Sequence, residues 1–226
     1  WTLLLKNGDT LVLHVQILLR LQPEMTLSYE TTPLSTMEEL QAAIDEAVKE
    51  MDEETILNIT LAPIIYQGVL VLNGDYIVIT GTEGDGVSTT IEGTMIYETE
   101  NDARCVIEGV SFQGNKTQTG IVAKGPVLYS NGSIDGYDVG IKTEDGGLAA
   151  LNHATVSHCR IGIYFNSKTC PIKADYIWDV SFAGNEKAIL FEHLPRTDVF
   201  YMMETTCEGN GTDIENLTGV KIADSY

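Results

Sequence analysis

Apolar and polar positions along the chain fall into three stretches of different rhythm. Residues 1–30 alternate, and Asn7-Gly8-Asp9 between Leu3–Leu5 and Leu11–Val15 predicts a hairpin turn. These strands are read either as a small leading hairpin or as the remnant of an upstream domain, with a second unit over 31–226. The next stretch has helical spacing. Ser35 and Thr36 precede Glu38 and Glu39 in a capping-box pattern, and Leu40, Ile44, Ala47, Val48 and Met51 share one face. Acidic residues at 50 and 52–54 oppose the helix dipole, so the helix is expected over about 36–51.

From Thr55 onward short apolar runs alternate with Gly, Asn and Asp turns, and the runs repeat. Phe112, Ile134, Val156 and Phe182 align with steps of 22, 22 and 26 residues. Ile121, Ile141, Ile163 and Ile189 align independently with steps of 20, 22 and 26. A third set is Val127/Leu128, Leu148–Leu151, Ile172–Ala174 and Val199–Tyr201. Two rows keeping one period predict coils of about 22 residues, each made of short strands and stacked at a strand spacing of about 4.8 Å. The fold class is therefore all-β, a single-stranded right-handed parallel β-helix with an N-terminal capping helix. Gly114-Asn115, Gly184-Asn185 and Gly209-Asn210 mark a repeated tight turn whose Asn amides are expected to stack.

Composition narrows the partners. The 226 residues carry 33 acidic and 13 basic side chains, a formal charge of −20, which disfavours nucleic acid and anionic membrane surfaces. The most apolar stretch, Leu11–Leu21, is too short to span a bilayer and is interrupted by His14, Gln16 and Arg20, so membrane insertion is not expected. A chain beginning at Trp1 reads as an excised fragment, which leaves room for a removed signal peptide or anchor. An extracellular or cell-surface setting is expected separately, from the fold and the acidity. Cys105, Cys159, Cys170 and Cys207 lack metal-site spacing; a Cys159–Cys170 disulfide and burial as core thiols are both open, the second being favoured. Asn58, Asn115, Asn131, Asn210 and Asn216 head Asn-x-Ser/Thr triplets, which matter in a glycosylating source.

The segment Met37–Gly93 contains a helix, then LNITLAPIIYQGVLVLNGDYIVITG, then TTIEG. It resembles the entrance to pectin methylesterases and other members of the pectin-lyase-like superfamily, where a capping helix leads through a Pro–Tyr turn into the coils. The resemblance implies the fold over about 36–222. It does not bring the chemistry, because Tyr176-Ile-Trp-Asp-Val-Ser-Phe182 departs from the methylesterase motif and the polygalacturonase motifs are missing.

Among the polar residues, Lys116, Asp138, Arg160 and Glu186 each lie four positions past an inward anchor, forming a column of alternating sign. As a calcium-dependent lyase, the chain would use Arg160 as base with Asp138 and Glu186 beside a cation. As structure, the column is a cross-strand ion ladder, the favoured reading because carboxylates keep Arg160 protonated. Asp135, Asp138, Glu144 and Asp145 carry oxygen ligands that suit Ca²⁺, but they lack the dense Asp/Asn periodicity of a dedicated loop, so solvated turn residues are the favoured reading. His158 stands where other coils have Gly and is expected in an exposed turn; His193 is expected in a loop.

Outward neighbours of the isoleucine row are Val122, Lys142, Tyr164 and Leu190, and Ser111, Ser133, Thr155 and Ser181 form a hydroxyl column. Tyr137, Tyr164, Tyr176 and Trp178 offer flat faces with polar edges suited to sugar rings; the alternative, slightly favoured, is that Tyr176 and Trp178 cover the side of the solenoid and pack on turns. The expected function is a non-catalytic module that binds a polysaccharide, surface glycan or protein through Lys142, Tyr164, Tyr137 and Trp178, with no cofactor required. The alternative is the calcium-dependent lyase acting on acidic polysaccharide. Lys221-Ile222 reads as one more strand with no cap after it, which predicts self-association through that end or a continuing domain.

Overall fold

The computed structural model describes residues 22–99, 101, 103–169, 176–194 and 199–224, and the backbone of two short strands, Thr2–Leu4 and Thr10–Val12. Those strands pair antiparallel, Thr2 opposite Val12, as the N-terminal alternation predicts. The Asn7-Gly8-Asp9 turn lies outside the described residues. From Glu24 the chain builds a right-handed parallel β-solenoid of about six turns.

Three parallel faces make up each turn. The first face runs from Glu24–Ser28 through Ile56–Thr60, Ile77–Thr80, Cys105–Glu108 and Pro126–Ser130 towards Lys221–Asp224. The second includes Ser111–Gln113, Ser133–Asp135 and Thr206–Glu208. The third includes Thr119–Lys124, Val139–Thr143, Ile161–Asn166, Lys187–His193 and Thr212–Asn216. Leu148–Ser157 and Tyr176–Ala183 each bend from the first face onto the second.

Both repeat rows are register partners. Phe112, Ile134, Val156 and Phe182 stack in succession, and so do Ile121, Ile141, Ile163 and Ile189. All eight are buried, so a single core is continuous through the stack. The third row needs one correction. Leu151 is paired with Ile177, which places Tyr176–Trp178 on the first face; Ile172–Ala174 lies outside the described residues. The longer step of 26 residues is taken up ahead of this strand, between Asn166 and Tyr176.

The helix Met37–Glu50 closes the N-terminal end of the core with Met37, Leu40, Ile44 and Ala47. Thr36 caps it, its hydroxyl accepting from the Glu39 N–H at 3.1 Å, while the Glu39 carboxylate accepts from the Ser35 N–H at 2.9 Å. The edge strand beneath is closed by a side chain: Gln41 accepts from the Val71 N–H at 2.7 Å and donates to the Val71 carbonyl at 2.9 Å. Strand edges left open invite pairing with other chains, and Gln41 fills this one locally. Near the other end, Cys207, Ile214, Val220 and Ile222 are only partly buried.

Candidate functional site

The corner joining the second face to the third holds most of the residues expected to do chemistry. Ile134 to Ile141, Val156 to Ile163 and Phe182 to Ile189 each advance seven positions, while Phe112 to Ile121 advances nine. The two extra residues displace Lys116 from the expected column. It takes φ 66°, and the backbone neighbour of Asp138 is Gln118, whose carbonyl accepts the Asp138 N–H at 3.0 Å. What remains of the ladder is one bidentate pair, with Arg160 Nε donating to Asp138 Oδ1 at 2.5 Å and Nη2 to Oδ2 at 3.0 Å. Those hydrogen bonds, and the charges of Asp138 and Glu186, push the Arg160 pKa up and favour its protonated form.

The same contact holds the Asp138 carboxyl below its usual range. A depressed folded pKa adds stability above the unfolded value, about 3.9, that is lost as pH falls through the folded value. Asp138→Asn is therefore expected to flatten the loss of stability between about pH 5 and pH 2. Urea midpoints at pH 6 and pH 3 check this; equal acid sensitivity in wild type and variant would refute it. Asp135 behaves alike. Burial works to raise its pKa, but hydrogen bonds from His158 Nδ1 (2.6 Å), Ser157 Oγ (2.7 Å) and Gln113 Nε2 (3.0 Å) outweigh it and lower the value.

His158 occupies the left-handed turn position, φ 52°, that Gly136, Gly184 and Gly209 fill in neighbouring turns. Beside it, Cys159 is a buried free thiol whose pKa burial pushes up to about 11, so it stays protonated. Cys170 lies outside the described residues. His193 is not in a loop; it ends a third-face strand, its Nδ1 2.8 Å from Asn166 Oδ1. Asp135 turns to His158, Asp138 to Arg160 and Glu144 to Lys142. Among the described residues no group of three or more His, Cys, Asp or Glu side chains is placed to hold a metal ion.

The third face carries a different arrangement. Its outward column runs Val122, Lys142, Tyr164, Leu190 and Glu215 through consecutive register pairs. Val139, Ile161 and Leu190 form a small buried apolar cluster separate from the core, and Tyr164 packs against it. The Tyr164 hydroxyl donates to Glu192. A hollow of about 400 Å³ lies on one side, lined by Lys124, Lys142, Glu144, Asp145, Asn166 and Lys168. Another of about 370 Å³ includes Arg160, Tyr164, Lys187, Glu192 and Glu215 in its wall. Three lysines here are paired with carboxylates: Lys142–Glu144 at 2.8 Å, Lys187–Glu215 at 2.5 Å and Lys124–Glu98 at 3.2 Å. A larger hollow of about 630 Å³ at the end of the helix has Asp52, Glu53, Asp75 and Glu98 in its wall but no aromatic ring.

Of the expected binding residues, Lys142 and Tyr164 are thus neighbours, and the other two lie elsewhere. Trp178 is on the first face, 39 % exposed, with its ring 5.1 Å from that of His153. Tyr137 is fully buried and points into the core, which rules its ring out as a sugar platform. The apolar support beneath Tyr164 and its partner Glu192 escape a reading of the sequence. Val139, Ile161 and Leu190 sit next to inward residues in the same runs and look like core. No protein-family model, no curated protein and no solved structure matches this chain.

Proposed function

We propose that the chain is a non-catalytic carbohydrate-binding β-helix module of the pectin-lyase-like type, serving a secreted or cell-surface protein, and that it holds glycan on the third face. The observation carrying this reading is Tyr164, an aromatic ring fixed on the Val139–Ile161–Leu190 cluster between two hollows. A ring held by apolar packing and by a bond from its hydroxyl keeps one orientation, which limits the entropy lost when a sugar stacks on it. Paired ammonium and carboxylate groups beside it supply donors and acceptors together. With Arg160 locked to Asp138 the sequence's candidate base is lost, which favours binding over elimination.

Retention on an array of plant, microbial and animal glycans tests the reading, followed by titration of the retained glycan. Tyr164→Ala is expected to weaken binding at least tenfold, about 1.4 kcal/mol, while Trp178→Ala leaves it unchanged. Retention that survives Tyr164→Ala but is lost with Trp178→Ala would move the site to the first face. No retention by any glycan would end the proposal.

A further inference from the structure

We infer that the third-face site takes a neutral pyranose polysaccharide lying along the solenoid axis, with its sugars advancing about one per turn; this rests on the glycan-binding reading above. Two features of the face carry it. The first is direction. Lys142, Tyr164, Leu190 and Glu215 belong to four successive turns and are direct register partners, so they form a straight column perpendicular to the strands. Parallel strands stand about 4.8 Å apart, a spacing comparable with the advance of one pyranose in an extended chain. The two hollows lie along this column, joined through the Lys142–Tyr164 pair. A sugar chain running across the turns passes from one hollow over Tyr164 to the other, whereas a chain along a strand meets only one turn's side chains.

The second feature is charge. The first hollow sets Lys124, Lys142 and Lys168 against Glu144 and Asp145, with Glu98 paired to Lys124 from outside the wall. The second sets Arg160 and Lys187 against Glu192 and Glu215, with Asp138 bound to Arg160. Local charge is close to balanced, in a chain whose formal charge is −20. A uronate polymer therefore finds no net attraction at close range and long-range repulsion from the molecule. Hydroxyl groups suit the lining better, because one hydroxyl can accept from an ammonium and donate to its partner carboxylate.

The test is calorimetric titration of the intact chain with oligosaccharides of one to seven sugars, from neutral β-1,4-glucan, xylan, mannan and α-1,4-glucan, and from oligogalacturonide. Affinity for one neutral series is expected to rise at least tenfold between two sugars and five and then to level off, with the oligogalacturonides weaker at every length. Lys142→Met is expected to reduce the gain from added sugars while leaving the unfolding midpoint unchanged. Saturation by a monosaccharide or disaccharide would overturn the axial arrangement and leave the glycan-binding reading standing. Tighter binding of oligogalacturonides would overturn the neutral class in the same way. If no sugar of any kind binds, both this inference and the reading beneath it fall.

Discussion

Replacing Tyr137 by alanine is expected to destabilise the solenoid by about 3–5 kcal/mol, the range for truncating a large buried aromatic. Its side chain leaves the turn that contains Ser133–Asp135 and crosses the preceding one. There a Cβ on Gly114 would stand 2.6 Å from the ring and one on Gly120 would stand 3.2 Å away. The hydroxyl ends on the backbone of the turn before that, donating to the Gly93 carbonyl at 3.0 Å with the Ile91 carbonyl at 3.3 Å. One residue therefore ties three turns together. Tyr137→Phe keeps the packing and leaves those carbonyls without their donor, for an expected loss of about 1–3 kcal/mol. Urea unfolding followed by far-ultraviolet circular dichroism should rank wild type above Phe and Phe above Ala. An Ala variant with an unchanged midpoint would show that this crossing does not hold the turns.

Much of this architecture is legible in the order of residues alone, because a solenoid repeats its register along the chain. Phe112 and Ile121 each head a row whose members prove to be direct strand partners. His158 could be placed in a tight corner simply because Gly136 and Gly184 precede and follow it at the same position. Legibility stops where a residue's fate depends on what its neighbours lack. Tyr137 reads as an aromatic face for a sugar ring, and only the missing side chains of Gly114 and Gly120 open the space into which it folds. Lys116 left its column for a similar reason, since a corner two residues longer shifts every contact after it. At the candidate site the outward pair Lys142 and Tyr164 follows from strand alternation. The bond between the Tyr164 hydroxyl and Glu192 does not, because it depends on side-chain conformations that periodicity leaves undefined.

Asn185 is the second position where a single change is expected to be severe, and it shows how the corner is closed from inside. Tyr137, Cys159, Asn185 and Asn210 occupy equivalent places after Gly136, His158, Gly184 and Gly209. Only the last two are asparagines, and they form the amide stack that the Gly-Asn repeats predict. Asn185 is 2 % exposed; its Oδ1 accepts the Cys159 N–H at 2.9 Å, and its Nδ2 donates to the Val156 carbonyl at 3.0 Å and to Asn210 Oδ1 at 3.0 Å. Asn115, in the longer corner, instead accepts from Thr117 on the surface. Asn185→Ala leaves the Cys159 amide without its acceptor and takes one donor from the Val156 carbonyl, which also lies in the ladder with the Phe182 strand. An unmatched buried group costs about 1–3 kcal/mol, and a loss in that range is expected. Asn185→Asp should be no better, since it trades the donor facing two oxygens for a third acceptor. Asn210→Ala should cost less, because Asn210 is only partly buried, with its Nδ2 serving the Phe182 carbonyl at 3.1 Å. Hydrogen exchange separates this account from a general loss of packing. In Asn185→Ala the Cys159 amide should lose protection well beyond the global destabilisation. The Ile163 amide, which belongs to the neighbouring strand ladder, should follow the global change alone. Equal loss at both sites would mean that Asn185 contributes through packing and not through the two backbone groups it satisfies.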